Sequence, residues 1–237
     1  MKILFVRHAD PDYSIDSLTP SGEIEAECLH RHIDRYAIDH VYSSPLGRAY
    51  RTAKIAMGRD DIEVLPWLRE FNHKVDATIM PPSEIIWDKY PDEWSKCDIL
   101  YDKDAWYDHP MCGDVKDKYI EVCNGLDELL AKHGYEREGQ IYRATSPNRD
   151  VIALFCHFGV QCILLSHLLG VSPIPLLHNA CALPSSVTTL VTEERREGIA
   201  SFRMLEFGSL THLALEGVSP SFSARFCETY DDMSERH

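Results

Sequence analysis

Two histidines stand at the ends of two apolar runs that lie far apart in the chain. Ile3-Leu4-Phe5-Val6 leads into Arg7-His8-Ala9, and Val151-Ile152-Ala153-Leu154-Phe155 leads into Cys156-His157-Phe158-Gly159. A neutral imidazole is a competent nucleophile near neutral pH, and a guanidinium beside it stabilises anionic oxygens, so these segments suit the handling of a phosphate group. That chemistry needs both histidines in one pocket. The carboxyl ends of strands in an open α/β sheet provide such a pocket, because ligands bind in the crevice beyond them. A third segment, Ser43-Ser44-Pro45-Leu46-Gly47-Arg48-Ala49-Tyr50-Arg51-Thr52-Ala53, places Arg48 in the opening turns of a predicted helix. Free backbone amides and the positive end of the helix dipole favour an anion there.

The elements that must position these groups are legible in the hydrophobic pattern. Thr19 can cap a helix that begins at Pro20 and runs to about Tyr36, with Ala26, Leu29, Ile33 and Tyr36 on its buried face. A strand from His40 to Ser43 is followed by Ser44-Pro45, which reads as a second cap, and by a helix with Leu46, Ala49, Ala53 and Ala56 inward. Ile62 to Leu65 is a further expected strand, leading to Trp67-Leu68-Arg69-Glu70. A helical stripe at Tyr119, Val122, Cys123, Leu126, Leu129 and Leu130 ends at Gly134, and a polar stretch then reaches Asn148. After the second apolar run comes a helix ending near Gly170, then strands at Val187 to Val191 and Phe202 to Phe207. Strands alternating with helices, several strands being apolar throughout, predict a three-layer α/β/α sandwich with a mostly parallel central sheet.

Between about residues 71 and 117 the periodicity lapses, and proline and aromatic residues accumulate, including Trp87, Tyr90, Trp94, Tyr101, Trp106 and Tyr107. The expectation is a single domain over 1–237 with a lid insertion at about 71–117, whose aromatic side chains form an apolar wall for a ligand. A satellite hydrophobic cluster packed outside the sheet is the other reading of that segment.

The chain has 237 residues, 44% of them hydrophobic, which is enough for one substantial core. With 24 Lys+Arg against 38 Asp+Glu, its formal charge of −14 argues against nucleic acid or an anionic membrane surface as a partner. No signal sequence and no membrane-length apolar run is recognised, so a cytoplasmic location is expected. The eight cysteines form no C-x-x-C pair and no zinc-ribbon spacing, and reduced thiols are expected. No heptad or interface stripe points to an oligomeric state.

Taken in order, several segments carry a family resemblance: Arg7-His8-Ala9 after a strand, Leu18-Thr19-x-x-Gly22, Ser43-Ser44-Pro45-Leu46-x-Arg48-Ala49-x-x-Thr52-Ala53, Leu68-Arg69-Glu70-Phe71, Leu126-Asp127-Glu128-Leu129-Leu130-Ala131-x-His133, and strand-Cys156-His157. The chain resembles the histidine phosphatase, or phosphoglycerate-mutase-like, superfamily over most of its length. The resemblance implies hydrolysis of a small phosphomonoester without metal or cofactor. It implies His8 as the nucleophile that becomes phosphohistidine, Arg7, Arg48 and His157 as the phosphate pocket, and Glu70 as proton donor to the leaving group. Asp10, two residues beyond the nucleophile, is the alternative donor.

The sequence also departs from the family pattern. Ala9 and Phe158 stand where glycine is usual, Cys156 where serine is usual, and a Gly-x-x-Glu-Gly stretch is missing beyond Asn72. A phosphoglycerate-mutase-type phosphotransferase is the nearest alternative, but its characteristic segment is replaced by Leu68-Arg69-Glu70-Phe71-Asn72-His73-Lys74. A non-catalytic module that only holds a phosphorylated ligand is the alternative from another class. A cysteine-dependent phosphatase needs an arginine where Cys162 follows Cys156. A metal hydrolase built from His8, Asp10, Asp12, His157 and His178 lacks recognisable ligand spacing.

Overall fold

Along β1 (Lys2–Arg7) successive side chains enter opposite layers: Leu4 and Val6 join one buried cluster, Ile3 and Phe5 the other. A small hairpin of β2 (Pro11–Asp12) and β3 (Ser17–Leu18) leads to α1 (Pro20–His32), β4 (His40–Ser43), α2 (Gly47–Met57) and β5 (Glu63–Val64). An irregular stretch containing α3 (Pro91–Trp94) precedes α4 (Val115–Lys132), β6 (Tyr135–Glu138), β7 (Ile141–Ala144) and β8 (Val151–Cys156). The chain continues through α5 (Phe158–Leu169), α6 (Pro173–Asn179), β9 (Val187–Arg196), β10 (Ile199–Ser209) and α7 (Thr211–Glu216). These elements come from a computed structural model that describes residues 1–222, 226–232 and 234. No helix among them is long and apolar enough to cross a membrane.

Eight strands form one sheet in the order β5-β4-β8-β1-β9-β10-β7-β6. The first four are parallel, and the junction of β1 with β9 and every pairing beyond it is antiparallel. The parallel half is the predicted one, and β1 and β8 at its centre are apolar because both faces are covered. Leu29, Ile33, Ala53 and Ala56 from the α1 and α2 side cover one face, while Leu126, Leu130, Val160 and Ile163 from α4 and α5 cover the other. The β6–β7 hairpin replaces the polar connection expected before Asn148. At the sheet edge only Tyr135, Tyr142 and Ala144 are buried, and the charged residues between them hide the strand pattern.

Local signals account for most helix boundaries. Thr19 caps α1 by accepting the amide of Gly22, with Pro20 at the first helical position, and Gly58 ends α2 in a left-handed conformation. The serine-proline signal before α2 was misleading. Leu46 is the residue at the helix start, without a side-chain cap, and Ser44, whose hydroxyl accepts the Leu46 amide, lies two residues before it.

The 71–117 stretch contains α3 and three short 3-10 turns. Met80, Ile86, Trp94, Leu100, Trp106, Met111 and Cys112 are buried in the same cluster as the α4–α5 side of the sheet. Trp106 is fully buried against Tyr107 and Tyr119. It therefore belongs to the core and forms no part of a ligand-facing wall.

Candidate active site

The parallel ladder brings the two sequence signals together. Six residue pairs join β1 to β8, ending with Arg7 opposite Cys156, so the next residue on each strand is a histidine. The His8 and His157 rings lie 5.1 Å apart, centroid to centroid, and both side chains are buried. The backbone amide of His8 donates to Cys156 O at 2.9 Å, which fixes the start of the loop.

His8 Nδ1 lies 2.8 Å from the carbonyl of Ala9, which can only accept, so Nδ1 carries the hydrogen and Nε2 carries the lone pair. Burial, then the neighbouring charge of Arg7 and of Arg48, holds His8 well below the ordinary histidine value despite the opposing Ala9 bond. The imidazole is consequently neutral with a defined basic nitrogen. Thr52 Oγ1 accepts the Ala9 amide at 3.0 Å and donates to Arg48 O at 2.8 Å, tying the loop to α2.

His157 precedes α5 in an extended conformation. Its Nε2 lies 2.8 Å from Ser44 Oγ, and that same oxygen accepts the Leu46 amide at 3.2 Å. The hydroxyl hydrogen is free to point at Nε2 while the oxygen accepts the amide, and in that arrangement the ring hydrogen sits on Nδ1. Nδ1 is buried and has no hydrogen-bond partner among the described residues. Burial and the surrounding His8, Arg48, Arg7 and Arg69 keep this ring well below the ordinary value too. Ser44 was missed by sequence reasoning because serine before proline is also an ordinary helix-start signal.

Arg7 is buried at the end of β1, donates to Ala182 O, and lies 5.7 Å from the centre of the Phe158 ring. Arg48 donates to Asp16 Oδ1 at 2.6 Å, and Asp16 Oδ2 accepts the amide of Gly47 at 2.7 Å. A side chain at position 47 would collide with the Asp16 carbonyl, 2.1 Å from a built Cβ. The β2–β3 hairpin thus grips the start of α2 and aims the guanidinium, with Tyr13 5.3 Å over it. Arg48 Nε is buried with no hydrogen-bond partner among the described residues. Asp16 lies in an irregular turn at φ 47° and carried no sequence signal.

Glu70 Oε1 accepts the amides of Phe71 at 2.8 Å and Val160 at 3.1 Å. The second bond links it to the first turn of α5, just beyond His157. Burial raises its pKa against the opposing effects of those amides and of Arg7 and Arg48. Gly159 makes this approach possible: a built Cβ would stand 2.7 Å from Glu70 Oε1 and 2.6 Å from the Trp87 ring. The glycine usual one position earlier has thus been exchanged for Phe158, which packs edge-on to Trp87 and 4.7 Å from Phe226.

The remaining candidates have partners outside this group. Asp10 Oδ2 accepts from Thr19 Oγ1 at 2.6 Å and its amide donates to Glu25, which ties it to the base of α1. Asp12 binds Ser14, and His178 stacks on Trp94, so the five residues considered as a metal set do not share one centre. Burial raises the Cys156 thiol, which disfavours a thiolate nucleophile.

Fold and cluster define an α/β protein with a buried histidine pair flanked by two arginines at the carboxyl ends of parallel strands. The profile of the histidine phosphatase superfamily (branch 1) matches residues 3–204, and the chain belongs to that family. It is 28% identical to phosphoserine phosphatase 1 of Hydrogenobacter thermophilus over 107 residues, 40% of this chain and 50% of that protein. The chain thus spans about half the length of the curated relative it matches. The crystal structure of a phosphoserine phosphatase mutant from Entamoeba histolytica, in complex with phosphoserine, superposes with a TM-score of 0.58 at 18% identity, covering 90% of this chain and 98% of that one. Mycobacterial glucosyl-3-phosphoglycerate phosphatase does so with a TM-score of 0.54 at 19% identity, covering 88% and 99%. At these identities the two structures establish the shared fold.

Proposed function

We propose that the protein is a phosphatase that hydrolyses phosphomonoesters of small molecules through a phosphohistidine on His8. The observation that carries this reading is the pairing of a neutral His8, its Nε2 lone pair fixed by the Ala9 carbonyl, with two buried donors that lack partners among the described residues, His157 Nδ1 and Arg48 Nε. Phosphate oxygens satisfy such donors.

In the first step His8 Nε2 attacks phosphorus in line while the ester P–O bond breaks. Arg7, Arg48 and His157 stabilise charge on the three non-bridging oxygens. Glu70 gives its proton to the departing alkoxide, and its raised pKa keeps a protonated population for this task. Both backbone amides are on Oε1, so Oε2 is the oxygen on which the proton resides. In the second step the Glu70 carboxylate takes a proton from water, whose oxygen attacks phosphorus, and the P–N bond breaks to restore His8 and release phosphate. None of these steps calls for a metal.

The reading takes a small phosphorylated metabolite as substrate, the class of the phosphoserine and 3-phosphoglyceric acid found in the Entamoeba complexes. It takes residues 71–117 as the insertion that meets the leaving group. Support comes from a cavity of about 500 Å³ lined by Trp87, Lys89, Trp94, His178, Cys181 and Phe226, beside Phe158. The test is rapid acid-free quenching with a ³²P-labelled aryl phosphate. Label held in an alkali-stable, acid-labile bond by the natural protein and absent from His8→Ala is expected. Turnover by folded His8→Ala at near-normal rate would refute the assignment.

A further inference from the structure

The end of the sheet opposite the histidine pair carries a second constellation that the proposed reaction does not use. His40 opens β4, Asp150 immediately precedes β8, and His133 caps the carboxyl end of α4. One donor atom from each of the three lies within 4.8 Å of the others. The two imidazole rings stand 4.8 Å apart, nearly edge to face, and His40 Nε2 is 3.8 Å from Asp150 Oδ2. With a strand rise of roughly 3.3 Å per residue, the cluster is about 13 Å from Ser44 and over ~20 Å from His157.

The backbone around each side chain is fixed. His133 O accepts from Asn148 Nδ2 at 2.8 Å, Asn148 Oδ1 accepts the Asp150 amide at 3.1 Å, and Asp150 O accepts the Lys2 amide at 2.8 Å. Tyr42 OH holds His133 Nε2 at 2.9 Å, which sets the ring and leaves Nδ1 as its other donor atom. A tyrosine in that position is the kind of outer partner that orients a ligating imidazole. His40 is exposed and retains side-chain freedom.

We propose that His40, His133 and Asp150 form a zinc site that braces the amino-terminal end of the parallel strands against α4. Two imidazole nitrogens and a carboxylate oxygen are a borderline donor set suited to zinc, with water completing the shell. Tetrahedral zinc with bonds of about 2.0–2.1 Å places its donors roughly 3.4 Å apart. Closing the triangle from 4.8 Å therefore requires shifts of up to about 1.5 Å among the three side chains, of which His40 is exposed. The metal ties the end of α4 to the starts of two strands that already pair in parallel, and it stabilises the fold without entering catalysis.

The full chain, stripped with a chelator and kept reduced, is titrated with zinc by calorimetry and melted with and without the metal. One equivalent is expected to bind, and the melting midpoint is expected to rise by roughly 5–10 °C when free zinc is about 100 times Kd. His40→Gln, at an exposed position, and Asp150→Asn should each lose that equivalent, while turnover of an aryl phosphate is the same in stripped and zinc-loaded natural protein. Cobalt loading distinguishes the cluster from the free cysteines, because thiolate ligation adds intense near-ultraviolet charge-transfer absorption. No saturable zinc binding, equal uptake by His40→Gln, or a thiolate band would each overturn the proposal, leaving the cluster as a histidine–aspartate contact. If Asp150→Asn fails to fold, His40→Gln alone decides.

Discussion

Ser44 Oγ lies 2.8 Å from His157 Nε2, and this contact occupies one ring nitrogen and leaves Nδ1 as the other. The serine stands just beyond β4 and the histidine just beyond β8, two strands paired in parallel, so the same ladder that aligns the backbone aligns the imidazole.

Ser44→Ala should therefore fold and retain its phosphoenzyme, but lose rate. A hydrogen bond that aims a charge-stabilising donor is worth about 1.5–3 kcal/mol, corresponding to a fall in kcat/KM of roughly 10- to 100-fold. Ser44→Thr, which keeps the hydroxyl, should recover part of it. Equal steady-state constants for Ser44→Ala and the natural protein would remove the serine from this role.

Glu70 is testable by leaving group. An alkoxide needs a proton and a nitrophenolate does not, so Glu70→Gln should slow an alkyl phosphate by about 10²–10⁴ while scarcely affecting a nitrophenyl ester. The acid must be protonated and its pKa is raised, so kcat for the alkyl ester falls as pH climbs through that raised value. Glu70→Gln should abolish this limb. The same shift means that the unfolded carboxyl ionises before the folded one. The natural protein thus loses stability relative to Glu70→Gln as pH rises from about 4.5 through the folded value. Indistinguishable melting differences at pH 4 and pH 8 would contradict the buried-acid account.

His8 and His157 titrate in the opposite sense. Both are depressed from about 6.5, and His212 is lowered to about 4 by burial. Their neutral folded forms contribute stability above pH ~6.5 that disappears as pH falls, because the unfolded chain gains protons the folded chain refuses. Calorimetric melting temperature should accordingly drop between pH 7 and pH 5 more steeply for the natural protein than for His8→Asn/His157→Asn. Parallel curves would show that other groups govern acid unfolding.

The tryptophans of the 71–117 stretch should divide into two kinds. Trp94 lines the cavity near His178, so Trp94→Ala is expected to change the ranking of phosphorylated substrates. Trp106 is fully buried away from it, and Trp106→Ala should cost about 3–5 kcal/mol of stability with the ranking kept. A substrate panel run beside denaturant titrations checks both, and a changed ranking in Trp106→Ala alone would reverse the division.

This division marks where the sequence stops being readable. Ile3 to Val6 and Val151 to Phe155 are apolar because their strands are covered on both faces, so the two strand ends and their histidines were apparent from the apolar runs alone. The parallel half of the sheet and the helices around it followed. The β6–β7 hairpin did not, since an edge strand such as Tyr135–Glu138 buries so little that its charges dominate. Nor did Asp16, Ser44 or the amide of Val160. Their contributions depend on partners reached through the fold, and a turn residue, an apparent cap and a backbone N–H look alike in any sequence. Aromatic residues in an aperiodic stretch likewise reveal burial but not direction, which is why Trp94 and Trp106 read the same.

The six ladder pairs between β1 and β8 have an evolutionary consequence. The distance between the paired histidines is set by strand register and is insensitive to how much chain connects them. Insertions and deletions between the two strands therefore leave the histidine pair in place as long as the ladder survives, provided that they spare the segments carrying Ser44, Arg48 and Glu70, whereas a one-residue slip in either strand would turn its histidine to the other face. Lineages can thus exchange whole stretches such as 71–117, and diversify what they recognise, over an unchanged pair of imidazoles.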